Sequence, residues 1–139
     1  MTDIHALNDF DRGIVEEFRA NGGQVDRPPG GKLLLLHTKG ARSGKPRLSP
    51  LAYHEIDGRV LIVGSYSGAP KDPAWVHNLR TNPQAHIEIG TDTHAVIAHE
   101  LPRNERDTLF ERITALYPIL ADYQAQTDRT FPLFELTHI

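Results

Sequence analysis

KGARSGKPRLSPL, residues 39–51, is the stretch from which the rest of the chain is read. It follows the apolar run Leu33–Leu36 and sets Lys39, Arg42, Lys45 and Arg47 among Gly40, Ser43, Gly44 and Pro46. An apolar strand running into a glycine turn, followed by renewed extended sequence, makes two antiparallel strands around a cationic loop. The window Arg27–His54 holds six Lys/Arg and no Asp/Glu, which leaves nine cations against all eighteen acids elsewhere. A local +6 thus faces −9, the strongest charge asymmetry in the chain. Runs of like charge usually only face water, so a solvated turn is the competing reading to an anion-holding loop.

Outward from this loop the pattern is regular. Asn8–Asn21 carries Phe10, Ile14, Val15 and Phe18 at helical spacing, with Asn8 or Asp9 as cap and Gly22–Gly23 beyond its end, which predicts an amphipathic helix lying across the core as a flap. Gln24–Gly31, with two prolines and two glycines, reads as a linker within the domain. Lys32–Thr38 is a strand buried on both faces, and Arg47–Ile56 and Arg59–Ser65 form a hairpin through a type I′ turn at Asp57–Gly58. A second small-residue loop, Tyr66–Asp72, leads to Asp72 as helix cap and Pro73 as first helical residue of Pro73–Thr81. Strands His86–Ile89 and His94–Glu100 follow as a hairpin. Pro102 opens a helix whose Leu109, Phe110, Ile113, Leu116 and Tyr117 share a face, and Pro118 interrupts it. A short helix Ile119–Gln126, a polar segment and a last strand, Phe131–Leu136, complete the chain. Six strands joined largely by hairpins predict a mainly β fold with helices, an α+β chain closed as a small barrel, rather than a doubly wound parallel sheet.

The 139 residues fit a single domain, residues 1–139, large enough to bury roughly two thirds of its unfolded surface. A net charge of −3 argues against a general nucleic-acid binder, and the absence of cysteine removes thiolate chemistry and Cys-ligated metals. With neither a secretory leader pattern nor a membrane-spanning apolar run, the expectation is a soluble cytoplasmic protein. Nothing in the pattern sets an oligomeric state.

Backbone N–H groups in glycine turns approach anions closely, and Arg42 and Arg47 can make forked bonds to phosphate or carboxylate. There is no G-x-x-x-x-G-K-[ST] or G-x-G-x-x-G run, which excludes the P-loop and Rossmann readings. The eight histidines show no H-x₃-H or H-E-x-x-H spacing and fall mainly on predicted strands, so no metal is expected. Without G-x-S-x-G, Ser43 and Ser49 are hydroxyls for hydrogen bonding rather than nucleophiles. Trp75 is a core anchor or a stacking platform, and Tyr117 and Tyr123 either line one cleft or edge the core.

Three ordered blocks, TKGARSGKPRLSPL, VLIVGSYSGAPKDPAWVHNLRTNP and LYPILADYQAQTDRTFPL, resemble the actinobacterial deazaflavin-dependent nitroreductase family from about Leu33 to Leu136. The resemblance implies a split β-barrel, of the type that also binds FMN, holding reduced coenzyme F420 as a hydride donor. Carried over by position, it implies a coenzyme groove lined by Lys39, Arg42, Ser43, Gly44, Lys45, Pro46, Arg47, Ser49 and Pro50. Val63, Ser65, Tyr66, Ala69, Pro70, Lys71 and Asp72 join them, with Trp75 packed beside the ring site. Lys71 and the first-loop cations would face the phosphate and oligoglutamyl tail, the polyanion that a basic patch on an acidic protein suits. Tyr117, Leu120 and Tyr123 correspond to the acceptor pocket, with Tyr117, Tyr123 or Ser65 as candidate proton donors.

Three positions depart from the nitroreductase pattern. Ala41 and Tyr66 stand where basic residues are found, and Leu120 stands in place of a third pocket tyrosine, which counts against nitroimidazole reduction. The expected activity is hydride transfer to a planar unsaturated acceptor: a quinone, enone or nitroaromatic compound. A lipid-soluble quinone would bring the chain to a membrane surface. The alternatives are an FMN-binding split-barrel oxidoreductase and a coenzyme carrier without turnover.

Overall fold

The fold is that of a computed structural model describing residues 7–25 and 32–139. Most of the linker expected at Gln24–Gly31 lies outside the described residues. The elements run α1 (Asp9–Ala20), β1 (Leu33–Lys39), β2 (Pro46–Ala52), β3 (His54–Ile56), β4 (Arg59–Val63), α2 (Ala74–Thr81), β5 (Gln84–Ile89), β6 (Asp92–Glu100), α3 (Arg103–Leu116), α4 (Ile119–Ala125) and β7 (Leu133–His138). Seven antiparallel strands form one sheet in the order β2-β1-β5-β6-β7-β4-β3, curled into a half-barrel. The mainly β, split-barrel expectation therefore holds.

The six-strand count does not hold, because the segment expected as one strand, Arg47–Ile56, breaks at Tyr53. Its halves lie on opposite edges of the sheet, and the Tyr53 N–H makes the last bond on the β1–β2 register, to the Lys32 carbonyl at 3.2 Å, before the chain leaves that edge. One residue thus carries the chain between the two sheet edges. The barrel is closed there by chain continuity rather than by a β2–β3 ladder.

Alternation sorts side chains into distinct cores. Leu34 and Leu36 point into the barrel with Ile62, Trp75, Ile87 and Phe134, while Leu35 faces Ile14, Val15 and Phe18 of α1. The leucine run is buried on both faces, as its sequence suggests. Each such side chain contributes about 1.5–3 kcal/mol on leaving water. The Asn8 side chain caps α1 by accepting from the Asp11 N–H at 2.7 Å. Leu61, Leu109, Phe110, Ile113, Leu120 and Phe131 make a third cluster under α3 and α4. Leu116, expected on that apolar face, is instead 63% exposed at the helix end.

The Asp57–Gly58 turn has φ of 54° and 77°, the left-handed pair that a type I′ hairpin requires. The start of α2 differs from expectation. Pro73 is the N-cap residue, with no side-chain cap, and the Asp72 carboxylate bonds Arg129 and Arg80 instead.

Candidate functional site

The cationic loop joins β1 to β2 and is closed by its own backbone. The Gly40 N–H bonds the Lys45 carbonyl at 2.8 Å, the Gly44 N–H bonds the Gly40 carbonyl at 2.9 Å, and the Ser43 hydroxyl accepts from the Lys45 N–H at 3.2 Å. Asn78, buried on α2, fastens this loop from below. Its carbonyl oxygen accepts the Ala41 N–H at 2.9 Å and its amide donates to the Thr38 hydroxyl at 3.2 Å.

Among the described residues, every arginine outside this loop pairs with a carboxylate. Arg42 and Arg47 do not, nor do Lys39 and Lys45. None of the carboxylates in these ion pairs reaches the four loop cations, so the loop keeps a positive potential available to an incoming anion.

The second loop is held more tightly than its small residues suggest. Arg129 enters it from the segment before β7. Its guanidinium donates to the Gly64, Ser65 and Ala69 carbonyls at 2.8–2.9 Å and to Asp72 at 2.8 Å, and it stacks over Phe131 at 4.6 Å. Between those carbonyls Tyr66 and Ser67 sit at φ 47° and 52°, a left-handed conformation that is uncommon for such residues. Gly68, at φ 82°, packs so closely under α4 that a Cβ would meet Gln126 Oε1 at 2.8 Å and the Tyr123 carbonyl at 2.9 Å. Arg106, buried, adds a further tie by donating to the Phe131 carbonyl at 2.9 Å and to Gln124 at 3.0 Å.

Two cavities meet between these loops. The first, about 550 Å³, is lined by Arg42, Ser43, Arg47, Ser49, Trp75 and Asn78 among others. The second, about 520 Å³, is walled by Ser49, Pro50, His54, Val63, Ser65, Tyr66, Trp75 and Leu120. Ser49, Ala74 and Trp75 belong to both, which makes one trough running from the cations to a recess whose apolar walls are interrupted by Asp11, His54, Ser65 and Ser67. Trp75 is 5% exposed and packs edge-on against Phe134, so it is a core anchor that also lines the trough.

The remaining expected site residues disperse. Lys39, Gly44 and Pro46 line a larger cavity of about 870 Å³ on a different part of the surface, beside Arg19, His37 and Glu88. There burial pushes the Glu88 carboxyl up, but hydrogen bonds from Arg19 and His37 outweigh it and hold the group below its usual range. Lys45, Ala69, Pro70, Lys71 and Asp72 line none of these cavities. Asp72 is engaged by two arginines, and Lys71 is exposed. Tyr117 packs on His54 with ring centroids 4.9 Å apart, and Tyr123 packs against the α3–α4 cluster. Neither tyrosine lines the recess.

His54 is 8% exposed, and burial pulls its pKa down to about 4. The sequence pattern marks His54 only as a strand histidine and Arg129 only as part of a polar connector, since nothing local distinguishes either. Among the described residues no group of His, Asp or Glu could hold a metal ion, and no helix is long and apolar enough to cross a membrane.

Fold and site together define a split half-barrel protein with a cation-lipped trough. The comparisons narrow this class. A family model described as F420H(2)-dependent quinone reductase matches residues 10–138, and the chain belongs to that family. An F420H(2)-dependent quinone reductase of Mycobacterium tuberculosis strain H37Rv is 33% identical over 130 residues, covering 86% of this chain and 84% of that protein. A second protein of that strain, named a putative F420H(2)-dependent quinone reductase, is 36% identical over 103 residues, covering 74% and 87%. The solved structure of an F420-H2 dependent reductase (FDR-A) superposes with a TM-score of 0.68 at 36% identity, covering 82% of this chain and 97% of that one. HutZ, the haem storage protein of Vibrio cholerae, shares the fold alone, with a TM-score of 0.59 at 18% identity over 90% of this chain and 87% of that one. The family is one of oxidoreductases whose coenzyme is reduced F420, which answers the FMN and carrier alternatives.

Proposed function

We propose that the trough between the two loops is where this chain binds reduced F420 and its acceptor, with the coenzyme's acidic tail at Arg42 and Arg47 and a quinone-like acceptor at the recess. The observation that carries this reading is the pairing census: Arg42 and Arg47 alone among the described arginines lack a carboxylate partner. An oligoanion is the ligand that two forked, unneutralised donors suit. Ser43 and Ser49 add hydroxyls to that grip, and Lys71 adds charge from the second loop. Pro50, Val63 and Trp75 supply flat apolar walls, and Asp72 supports the second loop through Arg129 rather than touching ligand.

When bound, the coenzyme supplies the hydride. The protein places the two reactants, keeps water from the recess through Trp75 and Leu120, and offers hydroxyls. Of the three candidate proton donors, Ser65 lines the recess, which favours it over Tyr117 and Tyr123. Holding the reactants in register contributes several kcal/mol at order of magnitude.

Titration of F420 fluorescence tests the coenzyme assignment. Arg47→Ala is expected to weaken binding about tenfold, and Lys71→Ala less, each more for long polyglutamyl tails. Unchanged affinity in both variants overturns the tail assignment.

A cytoplasmic enzyme that meets its quinone at a lipid surface completes the reading. Half-exposed Tyr66 lies at the recess, and exposed Leu116 and Ile119 bracket Tyr117 and Pro118. Co-sedimentation with phospholipid vesicles tests this contact, and a protein left wholly in the supernatant removes it.

A further inference from the structure

The recess contains one buried polar group that the reading above leaves without a role. His54 opens β3, pairs with Leu61 in the ladder, and is 8% exposed. Its Nδ1 is shut off from solvent and has no hydrogen-bond partner among the described residues, an arrangement that folded proteins rarely keep without a use. Burial leaves the ring neutral at physiological pH, and a neutral imidazole carries one N–H. With the proton on Nδ1, a donor would be buried facing no acceptor. With the proton on Nε2, the donor sits on the nitrogen that is not shut off, and His54 is part of the recess wall. The Tyr117 ring, tilted 52° against the imidazole at 4.9 Å, restrains it from turning away. The recess also carries the Asp11 carboxylate, which takes the Asn8 amide at 3.5 Å, and the hydroxyls of Ser49, Ser65, Tyr66 and Ser67, while Pro50, Leu51, Ala52, Val63 and Leu120 are its apolar walls.

We propose that His54 is a specificity-determining residue of the recess, donating a hydrogen bond from Nε2–H to a carbonyl oxygen of the planar acceptor and so selecting quinones over acceptors without oxygen. The inference rests on the recess being the acceptor site. Its selectivity has a clear sign. A desolvated donor whose oxygen partner is missing discriminates more strongly than an apolar wall does, and the bond strengthens as reduction places charge on that oxygen.

Imidazole ¹⁵N spectra of the full chain with oxidised F420 and a water-soluble 1,4-naphthoquinone read the interaction without turnover. The Nε2–H tautomer at pH 7 and a shift of the His54 Nε2 signal on adding quinone are expected. The Nδ1–H tautomer, or a ring indifferent to quinone, overturns the proposal. In steady state, His54→Leu is expected to raise KM for the naphthoquinone about tenfold while leaving KM for an oxygen-free phenazinium dye within twofold. His54→Gln, which keeps a donor, is expected to recover most of the loss. Equal effects on both acceptors, or no recovery in the Gln variant, assign His54 a packing role alone. Wild-type protein that fails to bind F420 would overturn the coenzyme reading above, while the quinone-dependent ¹⁵N shift would still decide the role of His54.

Discussion

Asp72 and Arg129, 57 positions apart in the chain, meet at 2.8 Å with both side chains largely out of solvent, and the same guanidinium holds the Gly64, Ser65 and Ala69 carbonyls. This pair fixes the shape of the second loop. Arg129→Ala leaves Asp72 with only Arg80, at 3.3 Å, and orphans the Gly64 and Ala69 carbonyls, while the Ser65 carbonyl keeps the Gly68 N–H at 2.9 Å. Its expected cost is about 3 kcal/mol in urea unfolding, with a parallel loss of F420 affinity. Arg129→Lys restores the charge without the fork and should recover less than half of either. A variant with wild-type stability and binding would show that the loop holds its own shape.

Asn78 has the matching role at the first loop. Asn78→Ala removes the bonds to the Ala41 N–H and the Thr38 hydroxyl from a buried position, and a loss of about 1–3 kcal/mol is expected. Faster amide hydrogen exchange confined to Gly40–Lys45 is the signature to look for. Uniform acceleration across the sheet would indicate general destabilisation instead.

Gly68 and Gly58 separate backbone strain from packing. Both have positive φ, but a Cβ at Gly58 meets nothing within 4 Å, whereas one at Gly68 meets Gln126 and the Tyr123 carbonyl. Gly58→Ala should cost about 1 kcal/mol and Gly68→Ala about 2–3 kcal/mol. Equal losses, compared by thermal unfolding, would contradict the close seating of α4 on the second loop.

Acid should weaken the fold through His54. Its pKa is pulled below the ordinary 6.5 to about 4, so the unfolded chain takes up a proton first as pH falls. The contribution is complete above pH 6.5 and declines progressively toward pH 4, reaching a loss of about 2 kcal/mol at pH 5. His54→Leu should flatten that part of the urea-midpoint profile. A profile identical to wild type would place the acid sensitivity in another group.

Much of this was legible in the sequence. The Asp57–Gly58 turn, the two-sided leucine strand and the cationic loop are written in local residue types, and the family resemblance carried the coenzyme class. What was not legible depends on contacts distant in sequence. The strand break at Tyr53 takes the chain from one sheet edge to the other, a placement set by pairing with β1 and β4 that no local pattern encodes. Asp72 looked like a helix cap because Pro73 follows it, but two arginines 8 and 57 positions away took its oxygens. Lys39 and Arg42 are three residues apart yet line different cavities, since the turn between them reverses direction. His54 could be recognised as special only once its burial and missing partner were known.

The two loops are secured through their main chain: Asn78 takes an N–H at Ala41, and Arg129 takes carbonyls on either side of Tyr66 and Ser67. Side chains at Ala41 and Tyr66 are therefore spared from anchoring, and these are two of the positions at which this sequence parts from the nitroreductase pattern. Such an arrangement leaves the tip side chains open to exchange without disturbing the scaffold beneath.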